Sequence, residues 1–180
     1  MLGKTLVPAY LLVIVAGAAS FVAGTVFRIQ RQDETAFYSL QVPGLIALFG
    51  GVVIGMVLLY RCWKLVIDHG PVGLLLPAVR QPGQAVGFLL IPAFNLYWVF
   101  VAFGKLPASL NALADATGVR RRVSEGLGFT VAVLAVLGCI PLIGVVFAVM
   151  QAFVMPTFLV QASSVHDGIV AARSSTLETD

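Results

Sequence analysis

Four stretches of this chain contain no Asp, Glu, Lys, Arg or His, and their lengths decide what it can become. They are Thr5–Phe27, Thr35–Tyr60, Gln81–Gly104 and Gly126–Val165. A helix that crosses a bilayer needs about 20 mostly apolar residues, so each of the first three is long enough. The last holds 40 residues, and as one helix it would run about 60 Å against a hydrocarbon layer about 30 Å thick. It has to fold back, and Gly138-Cys139-Ile140-Pro141-Leu142-Ile143-Gly144 supplies the break, because Pro141 removes a backbone donor and the glycines permit a tight turn. Composition agrees. Hydrophobic types make up 59% of the residues and charged types 11%, too few charges to coat a soluble domain of this length.

The expected architecture is all-α: a polytopic membrane helical bundle with spans at about 6–27, 40–60, 126–139 and 144–164, and a further apolar segment at 85–103 that spans or re-enters. Residues 1–170 form one transmembrane domain and 171–180 a polar tail. The start of the chain resembles a secretory leader, with Lys4 before an apolar stretch and Ala16-Gly17-Ala18 after it. The run continues uncharged to Phe27, however, and reads as a first span.

The basic residues discriminate between two topologies. If 85–103 crosses, they divide with no clear bias. If it dips in and returns, Lys4, Arg61, Lys64, Arg80, Lys105, Arg120, Arg121, Arg122 and Arg173 fall on one side, and only Arg28 and Arg31 on the other. Cytoplasmic loops carry the excess of Lys and Arg, which favours the re-entrant arrangement with both termini in the cytoplasm. Such a segment needs a backbone break, and Ile91-Pro92-Ala93-Phe94-Asn95 offers one.

Between the spans, Asp68-His69-Gly70-Pro71 reads as a helix stop. Leu106, Leu110 and Leu113 form an apolar stripe on a short helix in 105–122, suited either to the membrane surface or to packing on the bundle.

Chemistry is sparse. No ionisable group of the Asp, Glu, Lys, Arg or His type lies inside a predicted span, which argues against a proton relay or an ion-coupled carrier. Cys62 and Cys139 form no zinc or disulfide pattern. Asp68-His69 and His166-Asp167 pair an acid with an imidazole, but sequence neighbours on a helix point apart. No phosphate loop, nucleophile elbow or His-Glu-x-x-His motif is present. The expectation is a protein that is not an enzyme, holds no metal and needs no cofactor; a net charge of +3 carried by only 11 Lys and Arg does not point to nucleic acid.

The candidate residues are therefore few. Asn95, with Pro92 three positions before it, lies in a mostly apolar segment, and Gln151 lies in mid-span. Trp63, Tyr97 and Trp98 fit an interfacial aromatic belt, or for the latter two the re-entrant turn. Small residues recur at four-residue spacing: Ala16, Ser20 and Gly24; Ala47, Gly51 and Gly55; Gly144, Ala148 and Ala152. Such stripes let helices approach closely, within one chain or, at Gly51 and Gly55, between copies. Arg120, Arg121 and Arg122 are candidates for anionic lipid headgroups.

The segment Arg80–Phe103 carries Pro82-Gly83-Gln84-Ala85-Val86-Gly87-Phe88 and then Ile91-Pro92-Ala93-Phe94-Asn95-Leu96-Tyr97-Trp98. With Leu59–Lys64 and Leu110-Asn111, it resembles a family of bacterial multi-span integral membrane proteins, some fused to a GYF-like domain. The resemblance covers roughly 59–165. It implies the bacterial inner membrane, and that Pro92, Asn95, Tyr97 and Trp98 form a recurring element; it implies no activity. The functional expectation is an oligomeric scaffold or a regulatory interaction subunit in the lipid bilayer. The alternative is a channel or facilitator with a pore between subunits.

Overall fold

The computed structural model describes residues 2–31, 34–70, 79–91, 93–140 and 144–177. All regular structure among them is helical: α1 (Leu2–Arg31), α2 (Glu34–His69), α3 (Pro82–Gly87), a 3-10 turn at Phe88–Leu90, α4 (Phe94–Val99), a π-helical segment at Phe100–Gly104, α5 (Leu106–Ala116), α6 (Glu125–Leu137) and α7 (Gly144–Leu177). Three stretches, Thr5–Gln30, Phe37–His69 and Phe94–Ala116, are long and apolar enough to cross a membrane. The chain is thus an all-helical membrane protein.

Helices outrun the uncharged stretches that announce them. α2 continues past Tyr60 to His69, where Lys64 and Asp68, one turn apart, close an ion pair at 2.9 Å. Charges end a span, but at this spacing they continue a helix. Likewise α7 continues through Leu177, so most of the tail expected at 171–180 is helical. α6 has 13 residues, about 20 Å, and starts on a cap in which the Ser124 hydroxyl accepts the Leu127 N–H at 3.3 Å. The predicted turn at Pro141 lies outside the described residues.

The chain divides into two compact units. The first, residues 4–57, is the α1–α2 hairpin. Its helices meet through glycine. A methyl built on Gly44 would stand 3.0 Å from the Gly17 carbonyl oxygen and 3.2 Å from the Ser20 Cβ, and one on Gly17 would stand 3.0 Å from the Gly44 oxygen. Gly24 faces the Phe37 carbonyl, Gly51 faces Ile14 and Gly55 faces the Tyr10 ring. Ser20, Gly24, Gly51 and Gly55 therefore serve packing inside the hairpin. The seam considered for a second copy at Gly51 and Gly55 is already filled within the chain. Gly17 and Gly44, which form the closest backbone approach, stand outside the stripes chosen from sequence. At the loop end the Arg28 guanidinium lies 4.6 Å from the centre of the Phe37 ring.

The second unit contains residues 58–180. Its core joins Leu58, Leu59, Trp63 and Val66 of α2 with Leu106, Leu110 and Leu113 of α5, Val131 and Ala132 of α6, and Phe158, Val165 and Ile169 of α7, all fully buried. The α5 stripe is thus spent on protein packing and leaves nothing for a membrane surface. Gly144 opens α7, and its surroundings lie outside the described residues.

Candidate functional site: a broken helical hairpin and a clamped arginine loop

The 85–103 segment is not one helix. α3 and the 3-10 turn form one arm and α4 the other, with the break at 91–93. Pro92 lies outside the described residues, but Ala93 beside it has φ 64° and ψ −45°. That left-handed conformation costs a residue with a Cβ about 1–3 kcal/mol, so the surrounding packing must enforce it. The enforcing contacts are visible. The Trp98 indole N–H donates to the Ala85 carbonyl at 3.1 Å, which joins the two arms. The Phe88 ring meets Trp98 edge-on at 4.8 Å and Phe94 at 5.3 Å between centroids, and Phe94 stacks on Trp98 at 5.5 Å. Past the break, the Asn95 N–H donates to the Ile91 carbonyl at 2.9 Å, which restarts the helix.

A second indole holds the root of the hairpin. Trp63 donates its N–H to the Ala102 carbonyl at 3.0 Å within the π-helical segment. In π register that carbonyl looks five residues ahead for a donor, to Pro107, which has none. Trp63 fills the vacancy. Trp63 and Trp98 are both buried, so the aromatic-belt reading fails for them: each indole has an internal acceptor. Tyr97 is 63% exposed.

The other structured region is the loop between α5 and α6. The Asn111 side chain grips Val123 at both ends, accepting its N–H at 2.8 Å and donating to its carbonyl at 2.9 Å. The Ser124 N–H donates to Gln161 Oε1 at 3.0 Å. Arg121 donates to the Ser164 carbonyl at 3.3 Å and hydroxyl at 3.2 Å. Arg122 pairs with Asp115 and donates to the Val119 and Arg121 carbonyls. Two of the three arginines proposed for headgroups thus have protein partners, while Arg120 is simply exposed. Sequence reading did not find this clamp. Asn111 stands out in sequence only as part of the Leu110-Asn111 resemblance, which names no contact, and its partner is a backbone twelve residues away.

Asn111→Ala is expected to release residues 117–124. Each lost bond contributes about 0.5–1.5 kcal/mol net, more where a buried group is left unpaired. Amide exchange in 117–124 should quicken while α1 and α2 stay protected, and Asn111→Asp, which keeps the acceptor, should fall between. Unchanged exchange in Asn111→Ala would show that the clamp holds nothing.

Elsewhere, His166 Nδ1 lies 3.2 Å from Asp167 Oδ1. Adjacent residues on this helix do meet, contrary to the sequence argument. Burial lowers the His166 pKa below its usual value, and Asp167 pulls the other way. Among the described residues no three His, Cys, Asp or Glu side chains gather as a metal site. Gln151 Oε1 is buried without a hydrogen-bond partner among the described residues. The Asn95 side chain is half-buried.

The two elements define a class: an all-helical membrane protein that carries a helical hairpin and a pinned basic loop on one packed unit. Comparison with protein-family models, curated proteins and solved structures found no match.

Proposed function

We propose that the chain is a small interaction subunit of the bacterial inner membrane, with its termini and the arginine loop on the cytoplasmic side. In this reading α1, α2, α6 and α7 cross, and the α3–α4 hairpin enters and returns. The subunit acts by presenting the loop at 117–124 in a fixed shape to a partner, either another protein or a further copy of itself. One observation carries the reading: four side chains, Asn111, Gln161, Arg121 and Arg122, hold this exposed loop. Fixing a loop costs conformational entropy, and a fixed loop binds with less ordering penalty.

Photo-crosslinking in intact membranes tests this. With p-benzoylphenylalanine at Arg120, a protein adduct of discrete mass is expected, and Asn111→Ala should abolish it. The same probe at Leu12, on the exposed face of α1, should yield lipid adducts alone. If position 120 gives no protein adduct, the interaction reading fails. Solute flux through liposomes that disappears on Asn95→Leu would replace it with the pore.

A further inference from the structure

The hairpin tip is the least expected surface of the second unit. Leu90 is 65% exposed and Tyr97 63%, and Ile91, Phe94 and Leu96 are exposed beside them. No charge interrupts Gln81 to Gly104. Near the tip the one amide side chain is the half-buried Asn95; at the base, Gln84 Oε1 accepts the backbone N–H of Arg80 at 3.0 Å and that of Gln81 at 3.3 Å, and Arg80 is exposed. The exposed surface is therefore graded, charged at its base and uncharged and mostly apolar toward its tip.

Its length and neighbours are informative too. Residues 82–90 combine six α-helical and three 3-10 residues, about 15 Å at 1.5 and 2.0 Å per residue. Phe94 lies nine residues before Phe103, about 14 Å along the returning arm. Each arm is about half of a hydrocarbon layer about 30 Å thick. The register against α6 is fixed by Gly128, where an added methyl would stand 2.5 Å from the Phe103 carbonyl oxygen. One residue on, the exposed Phe129 ring lies 5.7 Å from Phe100. From that contact the returning arm runs on toward the tip beside α6, away from the Ser124 cap. The apolar surface of the hairpin thus meets the exposed Phe129 on the apolar helix α6.

From this geometry we infer that the hairpin is a wedge in the acyl layer of one leaflet: lipid tails cover Leu90, Ile91, Phe94, Leu96 and Tyr97, while Arg80 stays at the headgroup level. The inference rests on the membrane reading and on the re-entrant course of the hairpin, but not on any partner of the arginine loop. A wedge whose arms are tied by Trp98 and whose root is held to the core by Trp63 keeps its depth, and so sets the height of α5 and the loop above the membrane.

Spin labels measure that depth. In the full chain carrying Cys139→Ser, with buried Cys62 retained, single labels at Leu96→Cys and Tyr97→Cys are placed in phosphatidylcholine–phosphatidylglycerol vesicles. Leu12→Cys serves as the lipid reference and Arg120→Cys as the water reference. Collision with oxygen should exceed collision with a water-soluble nickel chelate several-fold at 96 and 97, as at Leu12. Nickel access at 96 and 97 equal to that at 120 would overturn the wedge. So would exclusion of both reagents, which would mean that protein covers the tip. The crosslink at Arg120 is read separately, so failure of the wedge and failure of the interaction function are distinguishable.

Discussion

Gly128→Val is expected to disassemble the second unit, and Gly128→Ala to weaken it. An alanine Cβ at this position would lie 2.5 Å from the Phe103 carbonyl oxygen, 2.6 Å from Pro107 Cγ and 3.2 Å from Pro107 Cδ. None of these atoms is the loose end of a flexible side chain. One is backbone in the π-helical segment, and two belong to a ring fixed in the first turn of α5. Relief requires α6 to move away from the hairpin root, and overpacking of this kind costs about 1–3 kcal/mol for a small addition. Alanine regains up to about 1 kcal/mol by its better helix propensity, so the net loss for alanine is modest and that for β-branched valine is larger. Gly126 is the control. It lies on the same helix two residues earlier, and the nearest atom to an added methyl is the Ser124 hydroxyl at 3.9 Å. Gly126→Ala should therefore raise the thermal midpoint in detergent, measured by fluorescence-detected size exclusion, whereas Gly128→Ala lowers it. If both variants shift the midpoint upward, α6 does not pack against the hairpin root as described.

How much of this was legible in advance follows from the range over which each signal acts. Uncharged run length is a local property, and it placed α1, α2, α6 and α7 to within a turn at the ends where charge and helix stop together. Alone it stops α2 and α7 short, because Lys64 and Asp68 are compatible with helix and incompatible only with lipid; the stop read at Asp68-His69-Gly70-Pro71 is where α2 does end, at His69. The break within 85–103 was legible from Pro92 and its neighbours. The direction in which the second arm returns was not, since that depends on an indole at position 98 finding a carbonyl at position 85. The leucine stripe of α5 announced an apolar face without saying whether lipid or protein would cover it. Periodicity cannot tell those apart. Small-residue spacing had the same limit. It pointed to Gly51 and Gly55, while Gly17 and Gly44, which make the closest backbone approach, lie seven residues from Gly24 and Gly51 and so fall outside a four-residue spacing. The arginine triplet read as a basic patch, yet Ser164 and Asp115, which hold two of its members, are distant or unremarkable in sequence.

Trp63→Phe and Trp98→Phe remove the same chemical group and should nevertheless fail differently. Trp63 is fully buried, and its N–H satisfies a carbonyl whose π-register donor would be proline. Phenylalanine leaves that oxygen unpaired in a dry core, a cost of about 1–3 kcal/mol, with a further loss for the volume removed. Because Trp63 stands on α2 and Ala102 in the π-helical segment, the loss falls on the junction between two elements of the core, and the midpoint for the whole second unit should drop. Trp98 instead ties one arm of the hairpin to the other. Its loss frees residues 82–90, relaxes the left-handed Ala93, and should leave the core of α5, α6 and α7 in place. Amide exchange separates the two outcomes: general acceleration through 58–177 for Trp63→Phe, acceleration confined to 82–96 for Trp98→Phe. The chain has only two tryptophans, so each variant retains the other as its own fluorescent reporter. In Trp98→Phe, Trp63 should keep the blue emission of a buried indole. A red shift of Trp63 in that variant would mean that the hairpin is part of the core rather than an appendage anchored to it.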